Sequence, residues 1–176
     1  IGQCNPGNRY HNIMELNMTI KIPLTQGKVA LIDAADLSLV TKHKWYALRS
    51  RRTFYAVTKI RRLDGTWTVL NMHRLILNPS SGIECDHIDG DGLNNTRANL
   101  RLATSAENAH NRRRRVDNTS GYKGVHFYRA YGKFQVYIGL NGRRIHLGYF
   151  STAQEAHAAY CAAAMKLHGA FANPGV

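Results

Sequence analysis

The stretch that decides the fold runs from Cys85 to Asn95 and reads Cys-Asp-His-Ile-Asp-Gly-Asp-Gly-Leu-Asn-Asn. Asp, Gly and Asn favour turns and are depleted in strands, so the stretch predicts a loop between two short strands. A calcium-binding loop is excluded, because the acidic spacing does not fit that motif and the twelfth position from Asp86 or Asp89 is not a glutamate. The loop therefore calls for another chemical explanation.

Phosphodiester hydrolysis would explain the polar residues of this region. It needs a base that takes a proton from water near neutral pH, and His87 suits because the reference pKa of histidine is about 6.5. It also needs a divalent cation to neutralise the phosphate, and the oxygens of Asp86 and Asn108 are hard ligands suited to Mg²⁺. Adjacent residues on a regular strand face opposite sides, so Asp86 and His87 can serve one phosphate only if the strand ends or bends there.

Spaced motifs surround these residues: His73-Arg74-Leu75-Ile76, Asp86 to Gly90, Asn94-Asn95, Asn99-Leu100-Arg101 and the helical Asn108. With them, residues 70–112 resemble the HNH homing endonucleases encoded by phages and introns. The resemblance implies a ββα-metal core, in which a hairpin with a long loop is followed by one helix.

The same resemblance implies the roles of individual residues. His87 is implied as the general base, and Asn99 as the residue that holds the hairpin loop through backbone hydrogen bonds. Asp86 and Asn108 are implied as metal ligands. Asn108 stands where many members have the last His of the motif, which favours Mg²⁺ or Mn²⁺ over zinc as the cofactor. His73 and His110 are expected to serve packing or DNA contact, and Arg101 either clamps phosphate or is solvated.

The charge of the chain indicates a polyanionic partner. The net charge is +13, with 24 Lys and Arg against 11 Asp and Glu. Residues 84–110 are net acidic and lie between two strongly basic segments, a pattern that fits a cation site within a DNA-binding surface. The expected DNA-contacting arginines of the first basic segment and of the arginine run are Arg49, Arg51, Arg52, Arg61, Arg62, Arg112, Arg113 and Arg114.

The last sixty residues predict a small independent module. Three strand patterns are joined by turns, of which Asn141-Gly142 is the strongest hairpin signal, and a capping box at Thr152 opens a helix that ends before Gly169. The motifs Gly121-Tyr122-Lys123-Gly124-Val125 and His146-Leu147-Gly148-Tyr149-Phe150 resemble the Apetala/ethylene-response-factor DNA-binding domain. That resemblance implies DNA contacts from Lys123, His126, Tyr128, Tyr131, Arg144 and His146. Several of these are Arg or Trp in the plant proteins, so the plant target sequence does not transfer.

The predicted fold class is α+β, with an N-terminal β-rich segment, a ββα-metal core, and a C-terminal three-stranded antiparallel sheet packed on one helix. The predicted divisions are a leader or cloning remnant over 1–17, a β-rich DNA-binding segment over 18–69, and the nuclease core over 70–112. A basic linker over 113–118 and the Apetala-like domain over 119–176 complete them.

The predicted function is a metal-dependent, homing-type DNA endonuclease that nicks double-stranded DNA as a monomer. The alternative is a non-catalytic, sequence-specific DNA-binding regulator that carries a nuclease remnant. No apolar run of about 18 residues occurs, so membrane association is not expected. The three Cys are far apart and are expected to be reduced, in a cytoplasmic protein of a phage or bacterial mobile element.

Overall fold

A computed structural model describes residues 18–51, 53–112, 114 and 117–175. The chain divides into two compact units, residues 1–102 and 103–176. Both helices and strands occur, so the predicted α+β class is confirmed. The predicted leader over 1–17 and the predicted DNA contacts Arg52 and Arg113 lie outside the described residues.

The first unit is built from short antiparallel strands and two short helices. The elements are β1 (Thr19–Pro23), β2 (Val29–Asp33), α1 (Leu37–Val40), β3 (Tyr46–Arg49), β4 (Phe54–Arg61), β5 (Trp67–Asn71), α2 (Met72–Leu77), β6 (Glu84–His87) and β7 (Leu100–Ala103). The strands β1 and β2 form a hairpin, β3, β4 and β5 form a sheet in that order, and β6 pairs with β7.

One apolar core joins these elements. Alternating residues of β2 point inward, and they meet side chains from α2 and β7 because a strand buries every second position on its covered face. The fully or nearly fully buried members are Ala30, Ile32, Val40, Trp45, Ala56, Met72, Ile76 and Leu100. Leu100 ties β7, the partner of β6, into this core.

A short helical segment follows β2. It begins as a 3-10 turn over Ala34–Asp36, and the α-helical part ends at Val40. The indole nitrogen of the buried Trp45 donates to the Val40 carbonyl over 2.8 Å, which satisfies a helix-end acceptor and turns the chain toward β3. No helix among the described residues is long and apolar enough to cross a bilayer.

The second unit holds a short helix, a sheet and a long helix. Thr104 and Glu107 form a capping box at the start of α3 (Ser105–His110). Thr152 and Glu155 form the predicted capping box of α4 (Ala153–His168). The strands are β8 (Val125–Tyr128), β9 (Lys133–Leu140) and β10 (Arg143–Phe150), and the long helix is α4. The sheet has the order β10-β9-β8.

The predicted packing of one helix on a three-stranded sheet is confirmed in this unit. Val125, Val136 and Ile138 are buried against the small face of α4, where Ala156 and Ala164 let the helix approach closely. The hairpin between β9 and β10 turns through Asn141 and Gly142, both with positive φ, as the Asn-Gly pair predicts.

Gly92 is a site where a side chain has no room, and this yields a stability prediction. A Cβ built there would lie 2.5 Å from both the Phe54 carbonyl oxygen and the Tyr55 ring. Gly92→Ala should lower the free energy of unfolding by about 1–3 kcal/mol, because the loop must move off β4. Chemical denaturation measures this.

Gly139→Ala is the matched control, since a Cβ there meets only the Arg143 carbonyl oxygen at 3.9 Å. Its unfolding free energy should stay close to that of the wild type. Equal stability of both variants would show that the acidic loop is not packed against β4.

Candidate active site

Two buried ionisable residues end the strand β6. Asp86 and His87 are each 6% exposed, and His87 is the last residue of the strand. The Gly90 N–H donates to the His87 carbonyl over 2.9 Å, so the chain turns immediately after the strand. The two side chains have different neighbours, as expected for adjacent strand positions. The strand ends at His87, which is the condition under which Asp86 and His87 can serve one phosphate.

Asp86 is neutralised by an arginine of the paired strand. The Asp86 carboxylate accepts hydrogen bonds from Arg101 Nε at 2.8 Å and from Arg101 Nη2 at 2.6 Å. Both side chains are largely covered, so the charge-assisted pair stabilises a carboxylate that would be costly to bury alone. Sequence reasoning left Arg101 between a phosphate clamp and a solvated residue, and the structure places it on the carboxylate.

His87 is oriented by a fully buried asparagine. His87 Nε2 lies 3.3 Å from Asn95 Oδ1, and the Asn95 amide group donates to the Leu93 carbonyl over 3.1 Å. Since that amide nitrogen is engaged as a donor, its oxygen faces His87, so Nε2 carries the proton. The lone pair is then on Nδ1. Asn95 was not singled out from the sequence, although the Asn-Asn pair after the loop was a visible signal.

Burial keeps the imidazole of His87 neutral. Desolvation lowers its pKa below the ordinary histidine value, and the hydrogen bond to Asn95 and the nearby Asp89 offset this only in part. A neutral imidazole at pH 7 is the form that can accept a proton. The environment therefore suits His87 to act as a base.

Two aromatic rings flank His87. The His73 ring on α2 meets it edge-on with a centroid distance of 4.8 Å, and the Tyr55 ring on β4 lies 5.8 Å away. Burial, together with the neighbouring His87 and Arg74, lowers the pKa of His73 to about 3. His73 Nδ1 has no hydrogen-bond partner among the described residues. A neutral His73 thus packs beside the candidate base, in line with the packing role expected from the sequence.

Asn99 ties the two ends of the acidic loop together. Its amide nitrogen donates to Asp89 Oδ1 at 2.9 Å and to the Asn94 carbonyl at 2.8 Å, and its Oδ1 accepts from the Asp89 N–H at 3.1 Å. The Ile88 N–H also donates to the Asn99 carbonyl. This is the geometry that the loop-holding role requires.

The remaining acidic residues of the loop brace its backbone. Asp89 Oδ1 accepts from the Asp91 N–H at 2.8 Å, and Asp91 Oδ1 accepts from the Leu93 N–H at 3.0 Å. The loop is also bonded to β2, since the Leu31 N–H donates to the Leu93 carbonyl and the Asn95 N–H donates to the Leu31 carbonyl, each over 2.8 Å. The carboxylates of this region therefore stabilise the backbone of the loop.

The donor chemistry at Asp86 fits a hard cation. Mg²⁺ is commonly held by one or two protein oxygens together with water and substrate phosphate, so one buried carboxylate is a sufficient start. Within the described residues, no group of three His, Cys, Asp or Glu is placed to hold a metal ion. Asn108, the other expected ligand, lies on α3 of the second unit.

The expected DNA-contacting arginines of the first unit are all at its surface where they are described. Arg49, Arg51, Arg61 and Arg62 are exposed. Arg61 Nε donates to the Gly65 carbonyl, and Arg62 donates to Thr68 Oγ1, both within the β4–β5 hairpin. In the second unit, Arg112 is exposed, and Arg114 donates to the Asn118 carbonyl over 3.2 Å.

The sheet of the second unit presents a continuous aromatic and basic face. By register, His126, Tyr128, Arg144 and His146 pair with alternate β9 residues that point away from the buried Val136 and Ile138. Their rings contact one another and their neighbours: Tyr128 packs on Tyr131, His146 on Tyr137 and on Tyr149, and the Arg144 guanidinium lies 4.3 Å from the Tyr137 ring centre. Tyr149 was missed from the sequence, although strand alternation places it on this face.

Lys123 does not share that face. Its ammonium donates to the carbonyls of His110 at 2.8 Å and Asn173 at 3.0 Å. A lysine engaged by two backbone carbonyls serves the fold of the second unit.

Asn99 gives a prediction about the loop. Asn99→Ala should lower the free energy of unfolding by about 1–3 kcal/mol, because buried loop groups lose their partners. Asn99→Asp is matched in size and keeps the acceptor, but it cannot donate to Asp89 and adds a like charge beside it. Both variants should melt earlier in calorimetry. A wild-type melting temperature for Asn99→Asp would show that the donated bonds do not hold the loop.

Comparison with known proteins links the site to one group of enzymes. Residues 78–110 match the family model of HNH endonucleases. An uncharacterized HNH endonuclease of Acanthamoeba polyphaga mimivirus is 29% identical over 150 residues, which cover 85% of this chain and 75% of that protein. Protein 3.8 of Escherichia phage T7 is 50% identical over 44 residues, 25% of this chain and 36% of that protein. No solved structure matches. Over residues 78–110, which include Asp86, His87 and Asn99, the chain is thus similar to the HNH endonucleases.

Proposed function

We propose that this chain is a metal-dependent DNA endonuclease that hydrolyses a phosphodiester bond with His87 as the general base. The observation that carries the proposal is the buried, neutral His87, whose Nε2 is held by Asn95 beside the Asp86 carboxylate. This pair lies inside the segment that is similar to the HNH endonucleases. Similarity alone would give a nuclease, and the environment of His87 supports the assignment of the base.

The chemistry at the site follows from these residues. His87 accepts the proton of the attacking water at Nδ1, since Nε2–H is directed to Asn95. Asp86, together with Asn108, would hold Mg²⁺ or Mn²⁺, which supplies positive charge against the phosphate and the departing 3′ oxygen. Arg101 holds the Asp86 carboxylate in place. His73 and Tyr55 cover the ring of His87 and exclude bulk water from one side of it.

Double-stranded DNA is the proposed substrate. The exposed arginines of β3 and β4 supply a basic surface in the unit that carries His87. We further propose that residues 119–176 act as an Apetala-like DNA-binding module, because three antiparallel strands backed by one helix expose His126, Arg144 and His146 on the face opposite that helix. Phosphate and base contacts from this face would select the target site.

The role of His87 can be tested by cleavage of supercoiled plasmid. His87→Ala should lower the rate by about 10²–10⁴-fold, because the base that generates hydroxide is lost. DNA affinity, measured by fluorescence anisotropy, should be retained. His43→Ala, which removes a histidine of the same unit outside the site, should cut like the wild type. EDTA should stop all cleavage.

Two results would contradict the proposal in different ways. Equal cleavage by His87→Ala would remove His87 as the base. Binding without any cleavage by the wild type, in Mg²⁺ or Mn²⁺, would favour the DNA-binding regulator instead.

The number of strands cut gives a second prediction. One set of Asp86, His87 and Asn108 can act on one phosphate at a time, and the net charge of +13 opposes self-association. The protein should therefore act as a monomer and convert supercoiled plasmid to open circles before linear DNA appears. Gel analysis of the time course, with sedimentation of the protein–DNA complex, measures this. Linear product without an open-circular stage would indicate a dimer on DNA.

A further inference from the structure

The helix α3, which carries Asn108, is held at its C-terminal end by the sheet-and-helix module that follows it. Six residues are too few for a helix to be stable in water by itself, so its placement must come from packing. Within the second unit, three separate segments supply this packing: the turn before β8, the end of α4, and the C-terminal tail. The first two segments contact His110, and the tail contacts Asn111.

The first segment acts through Lys123. Its ammonium donates to the carbonyl of His110, in the last turn of α3, and to the carbonyl of Asn173 in the tail. Burial lowers the pKa of Lys123 to about 8, which measures the cost of holding the amine away from water. Lys123 thus bridges the end of α3 and the C-terminal tail.

The second segment acts through His168, the last residue of α4. Its ring stacks on the His110 ring with centroids 3.7 Å apart and planes within 8° of parallel. His168 Nε2 also lies 2.8 Å from the Gly139 carbonyl of β9. The stack therefore connects α3 to both the long helix and the sheet.

The third segment acts through Asn173. Its amide nitrogen donates to the carbonyl of Asn111 at 2.8 Å and to the side-chain oxygen of Asn111 at 3.1 Å. Asn111 is itself buried, at 8% exposure. The tail is thus bonded to Asn111, the residue that follows the helix.

We propose that Lys123, His168 and Asn173 are positioning residues, which fix α3 so that Asn108 is presented correctly for cleavage. The inference rests on the proposed nuclease function. It means that the C-terminal module orders the helix that carries Asn108, in addition to the DNA binding proposed for it.

The first measurement is independent of activity and uses the full-length, metal-free protein. Amide hydrogen exchange of residues 107–111 should become about tenfold faster in His168→Ala and in Asn173→Ala, because each loses a contact that holds the helix end. His168→Phe keeps a ring for stacking and should restore most of the protection. Lys166→Ala, an exposed position on the same helix, should leave the exchange unchanged.

The second measurement is steady-state cleavage at a temperature where each variant is folded by thermal melting. kcat should fall by roughly 10–100-fold in His168→Ala and Asn173→Ala while KM for DNA stays within about twofold, since a displaced ligand-bearing helix misplaces the reacting groups. Lys123→Met, which keeps the aliphatic stem, should show the same kcat loss and serves if either alanine variant unfolds.

The outcomes separate the two proposals. If the wild type cuts DNA and the variants match it in both exchange and kcat, the positioning inference is overturned and the nuclease assignment stands. Faster exchange without a loss of kcat would also overturn it, since the contacts would then be structural alone. A wild type that does not cut would overturn both.

Discussion

The candidate site depends on a loop that has almost no apolar side chain to bury. Between β6 and β7, only Leu93 packs against the core, so the shape of the loop must come from hydrogen bonds. Asn99 supplies the central ones, because its single amide group bonds to the chain before and after the turn. The amide of Asn94, which donates to Asp89 Oδ2 over 2.8 Å, adds a second link across the loop. The position of Asn95, and through it the tautomer of His87, follows from this constraint.

The two reactive residues of β6 illustrate how opposite requirements are met in adjacent positions. Asp86 is buried, and its carboxylate accepts two short hydrogen bonds from Arg101. His87 must stay uncharged, and burial with an uncharged asparagine partner meets that need. A strand separates the two environments because its side chains alternate. The different hydrogen-bond partners of the two side chains are thus a result of local geometry.

Much of this arrangement could be predicted from sequence, for identifiable reasons. The capping box at Thr152 and the Asn141-Gly142 turn are local signals, so the start of α4 and the hairpin were found. The α+β class and the sheet backed by one helix followed from them. Long-range partners carry no such signal. The Arg101–Asp86 pair spans two strands, and the bonds from Lys123 to His110 and Asn173 depend on tertiary packing.

The bonds between the loop and β2 bear on how such a site can be transferred between proteins. Both Leu93 and Asn95 pair with the backbone of Leu31, more than sixty residues away in the chain. Backbone pairing tolerates any side chain, so the supporting strand can drift in sequence while its path stays fixed. The similarity to the family model spans residues 78–110, yet that fragment lacks the strand against which its loop is shaped. A chimaera that moves only the motif would carry the reactive residues and lose the surface that orients them. A transferable form of this site must therefore include β2 as well as the motif.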